Sequence, residues 1–212
     1  MRIALIGASG FIGSALLNEA LARGHAVTAL VTRPQRLSPR PGLETLAADV
    51  FDRTRLATQL RGHEAVISAF SGHAQQAVQD YYERGVAAII EATKASAVPR
   101  LLMVGGAGAL EVAPGVQLLD TPAFPEAYRA TAEGARTALA MLRAEPALDW
   151  TMLAPSAQIA PGARTGDFRL GDDRLLVDAN GDSRVSVEDY ALAMIDELER
   201  PAHSRRRFTV GY

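Results

Sequence analysis

The 212-residue sequence predicts an α/β chain with a doubly wound parallel sheet. Three observations lead there. Short apolar runs alternate with longer helical patterns from one end to the other, as in parallel strands joined by crossover helices. A run such as residues 26–32 is apolar without strict alternation, as in a strand covered on both faces. The first strand, Arg2–Ile6, also runs straight into Gly7-Ala8-Ser9-Gly10-Phe11-Ile12-Gly13, with a helical pattern directly behind it.

Glycines three residues apart, between a strand and a helix, suit one kind of ligand. A pyrophosphate binds on backbone N–H groups at a helix N-terminus, where unpaired donors and the positive dipole end favour anions. A Cβ in the wrong place would hold the phosphate off. Gly7 permits the tight turn, Gly10 the close approach, and Gly13 the packing of helix on strand. The prediction becomes a Rossmann-like, dinucleotide-binding domain spanning residues 1–212, with residues 155–186 as a small C-terminal substrate lobe.

Composition narrows the class. Apolar content is 48%, charged content 22%, and net charge −2, so neither nucleic acid nor membrane is expected as a partner. No apolar run approaches membrane-spanning length. Cysteine is absent, which removes disulfides, thiolate nucleophiles and Cys-ligated metals, and no metal site is expected. The expected location is cytoplasmic, and a homo-oligomer is compatible with all of this. Lys94 is the sole lysine, so any mechanism that needs one must use it.

The elements follow in order. A helix over residues 11–23 ends at Gly24. The second strand leads to Arg33, twenty residues after Gly13, where this fold meets the adenosine ribose. An acid there bonds the 2′-hydroxyl of NAD, whereas an arginine accommodates the 2′-phosphate of NADP. No Asp or Glu occurs from Ala26 to Leu43, which favours NADP(H) over NAD(H), with Arg33 as the main contact and Arg36 as its helper. A strand at residues 43–47 leads to Asp49 and Val50, placed to face the adenine, and Asp52 caps a short helix.

The strand over residues 64–70 ends in Ala69-Phe70-Ser71-Gly72, along the carboxyl edge of the sheet where ligands bind in such folds. His73 follows as a candidate proton donor, set against an ordinary exposed loop residue. A helix over residues 75–97 carries Lys94 near its end, and Pro99 stops it. A strand at residues 100–104 runs into Gly105-Gly106-Ala107-Gly108. A helix over residues 126–144 precedes a strand at 150–154 that ends at Pro155-Ser156. Residues 168–170 and 174–177 alternate weakly around Gly171-Asp172-Asp173, like a hairpin, and Asn180-Gly181 marks a turn. Ser186 caps the last helix, to residue 199, with Asp189 three positions on as in a capping box. Residues 208–210 form a final strand.

With these pieces in order the chain resembles the short-chain dehydrogenase/reductase superfamily in its atypical, short branch. It looks most like the NAD(P)H-binding, NmrA-like and NADH-flavin reductase-like proteins. The resemblance covers essentially the whole chain. It rests on the glycine turn, Val104-Gly-Gly-Ala107, Trp150-Thr-Met-Leu-Ala-Pro-Ser156, Pro161-Gly-Ala-Arg-Thr-Gly166 and Ser186-Val-Glu-Asp-Tyr-Ala191. It implies that Gly7, Ala8, Ser9, Gly10, Phe11 and Ile12 hold the pyrophosphate and that Arg33 reads the ribose phosphate. It further implies that Ala69, Phe70, Ser71, Val104, Gly105 and Gly106 flank the ribose and nicotinamide, with Pro155, Ser156 and Ala157 along the nicotinamide side.

The departures carry the functional argument. Typical members polarise a carbonyl with a Tyr-x-x-x-Lys pair beside a serine at the end of the fifth strand, the lysine lowering the tyrosine pKa. Here Gly105-Gly106 stands at the serine position, Tyr128 is followed by Ala132, and Lys94 belongs to another helix. Tyr128, His73 and Ser156 are what is left as proton-donor candidates. The expected function is an NADPH-dependent reductase passing hydride to a flavin, quinone or similar flat acceptor, touched by Phe70, His73, Tyr128, Ser156 and Phe168. The alternatives are a non-catalytic NADP(H) sensor and an epimerase or dehydratase.

Overall fold

In a computed structural model, which describes residues 1–72 and 75–212, the chain alternates strand and helix as its periodicity predicts. The elements are β1 (Arg2–Ile6), α1 (Phe11–Ala22), β2 (Ala26–Val31), β3 (Leu43–Ala47), α2 (Arg53–Leu60), β4 (Ala65–Ser68), α3 (Val78–Ser96) and β5 (Arg100–Val104). A small antiparallel pair follows, β6 (Glu111–Ala113) with β7 (Val116–Gln117). Then come α4 (Glu126–Arg143), β8 (Asp149–Ala154), β9 (Gln158–Ala160), β10 (Arg169–Gly171), β11 (Arg184–Ser186), α5 (Val187–Glu199) and β12 (Arg206–Gly211).

Eight strands form the main sheet in the order β10-β12-β8-β5-β4-β1-β2-β3. Every pairing is parallel except that of β10 with β12. Strand order reverses between β1 and β4, which makes the switch point where open α/β sheets bind ligands. Helices α1 and α5 cover one face, with Leu16, Leu17, Tyr190 and Ile195 in its core. Helices α2, α3 and α4 cover the other, with Leu56, Ile89, Leu139 and Leu142 in its core. Burying one such side chain stabilises by about 1.5–3 kcal/mol, and the central strands, buried on both faces, contribute it twice over per pleat.

Local chemistry sets the helix ends. Gly24, at φ +78°, ends α1 in a left-handed turn that a side chain would strain. Asp52 caps α2, its carboxylate accepting from Arg55 N–H at 3.1 Å. Ser186 caps α5, its hydroxyl accepting from Asp189 N–H at 3.0 Å.

Two local expectations are corrected. Residues 174–177 do not close a hairpin on residues 168–170; β10 instead pairs antiparallel with β12 at the sheet's edge. The long final strand offered β10 a ladder that the weakly patterned residues 174–177 did not. The capping box is only half formed. Asp189 does not reach back to Ser186 N–H, which donates instead to Tyr212 Oη at 3.1 Å.

Asp189 serves the 161–166 loop. Its carboxylate accepts from Thr165 N–H at 2.8 Å, Gly166 N–H at 2.9 Å, Thr165 Oγ1 at 2.6 Å and Tyr212 Oη at 2.7 Å. Burial works to raise its pKa, but these donors prevail and hold it below the ordinary carboxylate range. A depressed carboxylate stabilises the fold above its unfolded pKa of about 3.9, and that stability is lost as pH falls through the lower folded value. Asp189→Asn therefore lowers stability at pH 7 by about 1–3 kcal/mol, measured by urea denaturation. The gap between variant and wild type narrows below about pH 4.

Candidate functional site

The site is built where the strands end. Gly7 continues the ladder of β1, donating to Leu30 O at 3.0 Å, then turns at φ +80°. A Cβ on Gly7 would lie 2.5 Å from Ala69 O, so the ends of β1 and β4 meet here with no room for a side chain. Gly10 N–H returns to Gly7 O at 3.0 Å, and Gly10 O accepts the first helical bond, from Ser14 N–H at 2.8 Å. A Cβ on Gly13 would lie 2.1 Å from Gly7 O. The helix therefore starts hard against the strand, with its positive end at the carboxyl edge of the sheet.

That end is left open to an anion. Gly10 stands at the N-cap with no side chain to cap the helix, and no acidic residue lies in the first turn. Ser9, Gly10 and Phe11 are exposed, while Ala8 is buried beneath them. Residues of this kind fit a pyrophosphate: bare amides, a favourable dipole, and no competing carboxylate.

The other strand ends line up along the same edge. Thr32 and Arg33 follow β2, Ala48 and Asp49 follow β3, and Ala69, Gly105 and Pro155 follow β4, β5 and β8. From β3 to β8 this edge is about 24 Å across at the ordinary strand spacing, long enough for an extended dinucleotide. Arg33 and Arg36 are exposed beside a single 3₁₀ turn over Pro34–Arg36, and neither is ion-paired among the described residues. Arg40, by contrast, donates to Asn18 Oδ1 at 2.6 Å. Asp49 accepts from Phe51 N–H at 3.0 Å through one carboxylate oxygen, beside buried Val50.

The remaining predicted residues divide. Phe70 is half-buried, with its ring turned into helix α3. It stacks on Tyr81 (centroids 5.5 Å apart) and Tyr82 (6.0 Å), and a Cβ on Gly85 would lie 2.1 Å from its Cε1. Its backbone, not its ring, borders the groove. Val104, Gly105 and Gly106 sit half-buried at the end of β5, and Gly105 N–H donates to Leu153 O at 2.8 Å. Ser156 is buried and its hydroxyl donates to Val210 O at 2.9 Å, which leaves it no proton for an acceptor. Ala157 is exposed and donates its N–H to Ser183 Oγ at 3.1 Å. Ser71 is exposed, Phe168 is half-buried, and His73 lies outside the described residues. Tyr128 is 61% exposed on the first turn of α4.

Two tyrosines missed by the sequence reading stand near Gly105. Tyr190 of α5 is fully buried and donates to Leu153 O at 2.7 Å. Burial pushes its phenol well above the ordinary value; the nearby Tyr82 phenol adds to this and the Gly105 backbone opposes it. Burial pushes the Tyr82 phenol up to about 12. Tyr82 reads in sequence as one of the apolar-side positions of its helix, with Val78 and Val86.

A cavity of about 500 Å³ lies at the opposite, amino edge of β1, β2 and β3, lined by Arg2, Thr28, Glu44, Arg61 and His63 among others. A second, of about 440 Å³, lies between α1, α5 and the loop at Pro161 and Arg164. Neither is lined by the carboxyl ends of the strands. Among the described residues no cluster of three or more His, Asp or Glu is arranged to hold a metal ion, and no helix is long and apolar enough to cross a membrane.

The sequence pattern of the family described as NAD(P)H-binding matches residues 7–201. The chain belongs to that family. It is 42% identical to the uncharacterised protein YwnB of Bacillus subtilis, over 99% of this chain and 98% of YwnB. Its fold matches a solved structure from Bacteroides thetaiotaomicron, provisionally named an epimerase, at 45% identity and a TM-score of 0.93, covering 100% of this chain and 96% of that one. It also matches a protein of Streptococcus pneumoniae provisionally named an NADH-flavin reductase, at 31% identity and a TM-score of 0.88, covering 100% and 99% of the two chains.

Within that family frame the missing relay becomes concrete. Lys94 is held at the far end of α3 by Glu145 at 3.1 Å and Glu91 at 3.2 Å, with Glu145 first in raising its pKa. Helix α3 runs antiparallel to the strands, so that end lies at the amino edge, away from the groove. Gly10→Ala separates cradle from fold. Its Cβ would lie 3.3 Å from Gly7 O at a φ of −81°, so unfolding free energy falls by only about 1 kcal/mol. Calorimetric titration of this variant with NAD(P)H should show at least a tenfold loss of affinity, about 1.4 kcal/mol or more.

Proposed function

We propose that this chain is a cytoplasmic, NADPH-dependent reductase that passes hydride to a flat acceptor, a flavin or a quinone. One observation carries the reading. The carboxyl edge joins a bare amide cradle and two unpaired arginines at one end to a relay-free turn, Gly105-Gly106, at the other. A two-electron acceptor with a conjugated ring takes hydride without a strong acid beside it, and its protons come from water.

The residues divide the work. The turn from Gly7 to Ile12 receives the pyrophosphate on those of its backbone amides that are not already given to Leu30 O and Gly7 O. Arg33, with Arg36, meets the 2′-phosphate, and Asp49 and Val50 border the adenine. Ala69, Ser71, Val104, Gly105 and Gly106 are small enough to let ribose and nicotinamide lie against backbone. The bound coenzyme supplies hydride; the protein supplies orientation and a face shielded from water. The Streptococcus relative's provisional name supports this acceptor class. An epimerase, as the Bacteroides relative is provisionally named, would need a phenol kept near neutrality by a cation, and Lys94 is tied to Glu145 and Glu91 at the other end of α3.

Purified protein with NADPH and a panel of FMN, menadione and dyes should lose absorbance at 340 nm in an acceptor-dependent way. Tight coenzyme binding with no turnover across the panel would sink the reductase and leave a coenzyme sensor. Arg33→Ala should weaken NADPH binding at least tenfold and NADH binding less than twofold, as expected for one charge-assisted contact worth about 1.5–3 kcal/mol. Equal losses for both coenzymes would refute the phosphate contact.

A further inference from the structure

Tyr82 has no part in the function proposed above. It is the fifth residue of α3, and its ring stacks on Phe70 with the planes 12° apart, just beyond the end of β4. A Cβ on Gly134 of α4 would lie 3.0 Å from Tyr82 Cδ1, so the ring fills the slot where α3 and α4 pack. The next residue of α4, Ala135, faces β5: a Cβ on Gly106 would lie 3.0 Å from the Ala135 Cβ. Tyr82 thus lies just beyond the end of β4 and against α4, one residue from the α4 position that packs on Gly106. From the other face of the sheet Tyr190 brings its hydroxyl to Leu153 O, at the neighbouring end of β8.

The two phenols differ in what they have left to donate. Tyr190 is wholly buried and its proton is committed to Leu153. Tyr82 is half-buried, and its hydroxyl has no partner among the described residues. That hydroxyl is not sealed inside the slot: it keeps contact with solvent, so a ligand can take the place of water on it. The serine and lysine that would serve a relay are absent nearby. A free donor at the nicotinamide end of the groove is what remains.

We propose that Tyr82 Oη donates a hydrogen bond to the carbonyl-type oxygen of the acceptor and stabilises the charge that gathers there during reduction. This rests on the reductase reading. The acceptor gains two electrons and one proton as hydride, and its second proton comes from solvent, so the phenol ends the cycle protonated as it began. With its pKa pushed up to about 12 by burial, the phenol stays protonated through the neutral range and acts as a donor rather than a base.

Tyr82→Phe keeps the ring and removes the hydroxyl. With menadione as acceptor its kcat should fall about 100-fold, the low end of the scale of one lost donor to a developing oxyanion. FMN binding to the NADP⁺-saturated protein, read by FMN fluorescence, needs no turnover and should weaken about fivefold. The melting temperature and the NADPH Kd should hold. Tyr81→Phe on the same helix is the control and should leave kcat unchanged. Unchanged kcat and FMN binding in Tyr82→Phe, with active wild type, would overturn the role of Tyr82 and leave the reductase standing. A parallel fall in melting temperature and NADPH affinity would overturn it too, as a packing effect. Wild type that neither turns over nor binds FMN would remove the reductase reading itself, and this inference with it.

Discussion

Gly13 lies so near Gly7 that a single methyl group on it would fall 2.1 Å from the Gly7 carbonyl oxygen. No side chain survives that approach, and everything at the carboxyl edge follows from it. Because α1 can start hard against β1, its positive end is presented to the groove rather than to bulk water. Because Gly7 also has Ala69 O 2.5 Å from where its Cβ would be, the ends of β1 and β4 close on each other at the point where strand order reverses. Steric demand and anion binding thus ask for the same residues. A sequence that met the packing requirement with glycine obtained the bare amides as a consequence.

The arginines show how the rest of the surface is arranged around that edge. Arg23 reaches Glu19, Asp196 and Glu199, and Arg164 reaches Glu19, so these cations knit α1 to α5 and to the 161–166 loop. Arg100 is buried against Glu197 at 2.7 Å, and Arg207 is buried against Asp173. Such pairs at the surface add little to stability, and buried ones mainly avoid the cost of an unpaired charge. What matters is where pairing stops. Arg33 and Arg36 are exposed beyond β2 with no carboxylate partner among the described residues, so their charge is available to an incoming anion without breaking anything first.

Strands and helices were legible because period and punctuation agreed. Residues 43–47 and 100–104 were bounded as the structure has them, and Asp52 and Ser186 cap where local chemistry said they would. The hairpin at residues 168–177 failed because alternation is a local signal, while β10 found its partner in a strand about forty residues downstream. Asp189 was misread for a similar reason: spacing shows that it could reach Ser186 N–H, not that Thr165, Gly166 and Tyr212 would reach it first. The tight turn after β1 was legible because glycine is what its close backbone contacts at Gly7 and Gly13 demand. Phe70 and Ser156 were read as groove side chains because nothing in one dimension shows which way a ring turns or which carbonyl takes a hydroxyl. Tyr82 and Tyr190 were invisible as polar groups, since a phenol on an apolar stripe looks like any other core aromatic.

A phenol's chemistry is set by what charge stands beside it. In a Tyr-Lys pair the ammonium pulls the phenol toward neutrality, and the tyrosine can give and retake a proton in each cycle. Tyr82 and Lys94 share helix α3, but twelve residues at 1.5 Å each put them about 18 Å apart along its axis. That separation exceeds the Debye length of about 8 Å at physiological ionic strength, and Glu145 and Glu91 neutralise the ammonium locally. Nothing then opposes burial, and the phenol moves up to about 12 rather than down. A group so placed can orient and polarise but cannot shuttle protons at neutral pH. In the reductase proposed above, such a donor would suit substrates whose reduced form collects its proton from water, which is the property that sets flavins and quinones apart from the sugar and alcohol carbons on which a proton relay is needed.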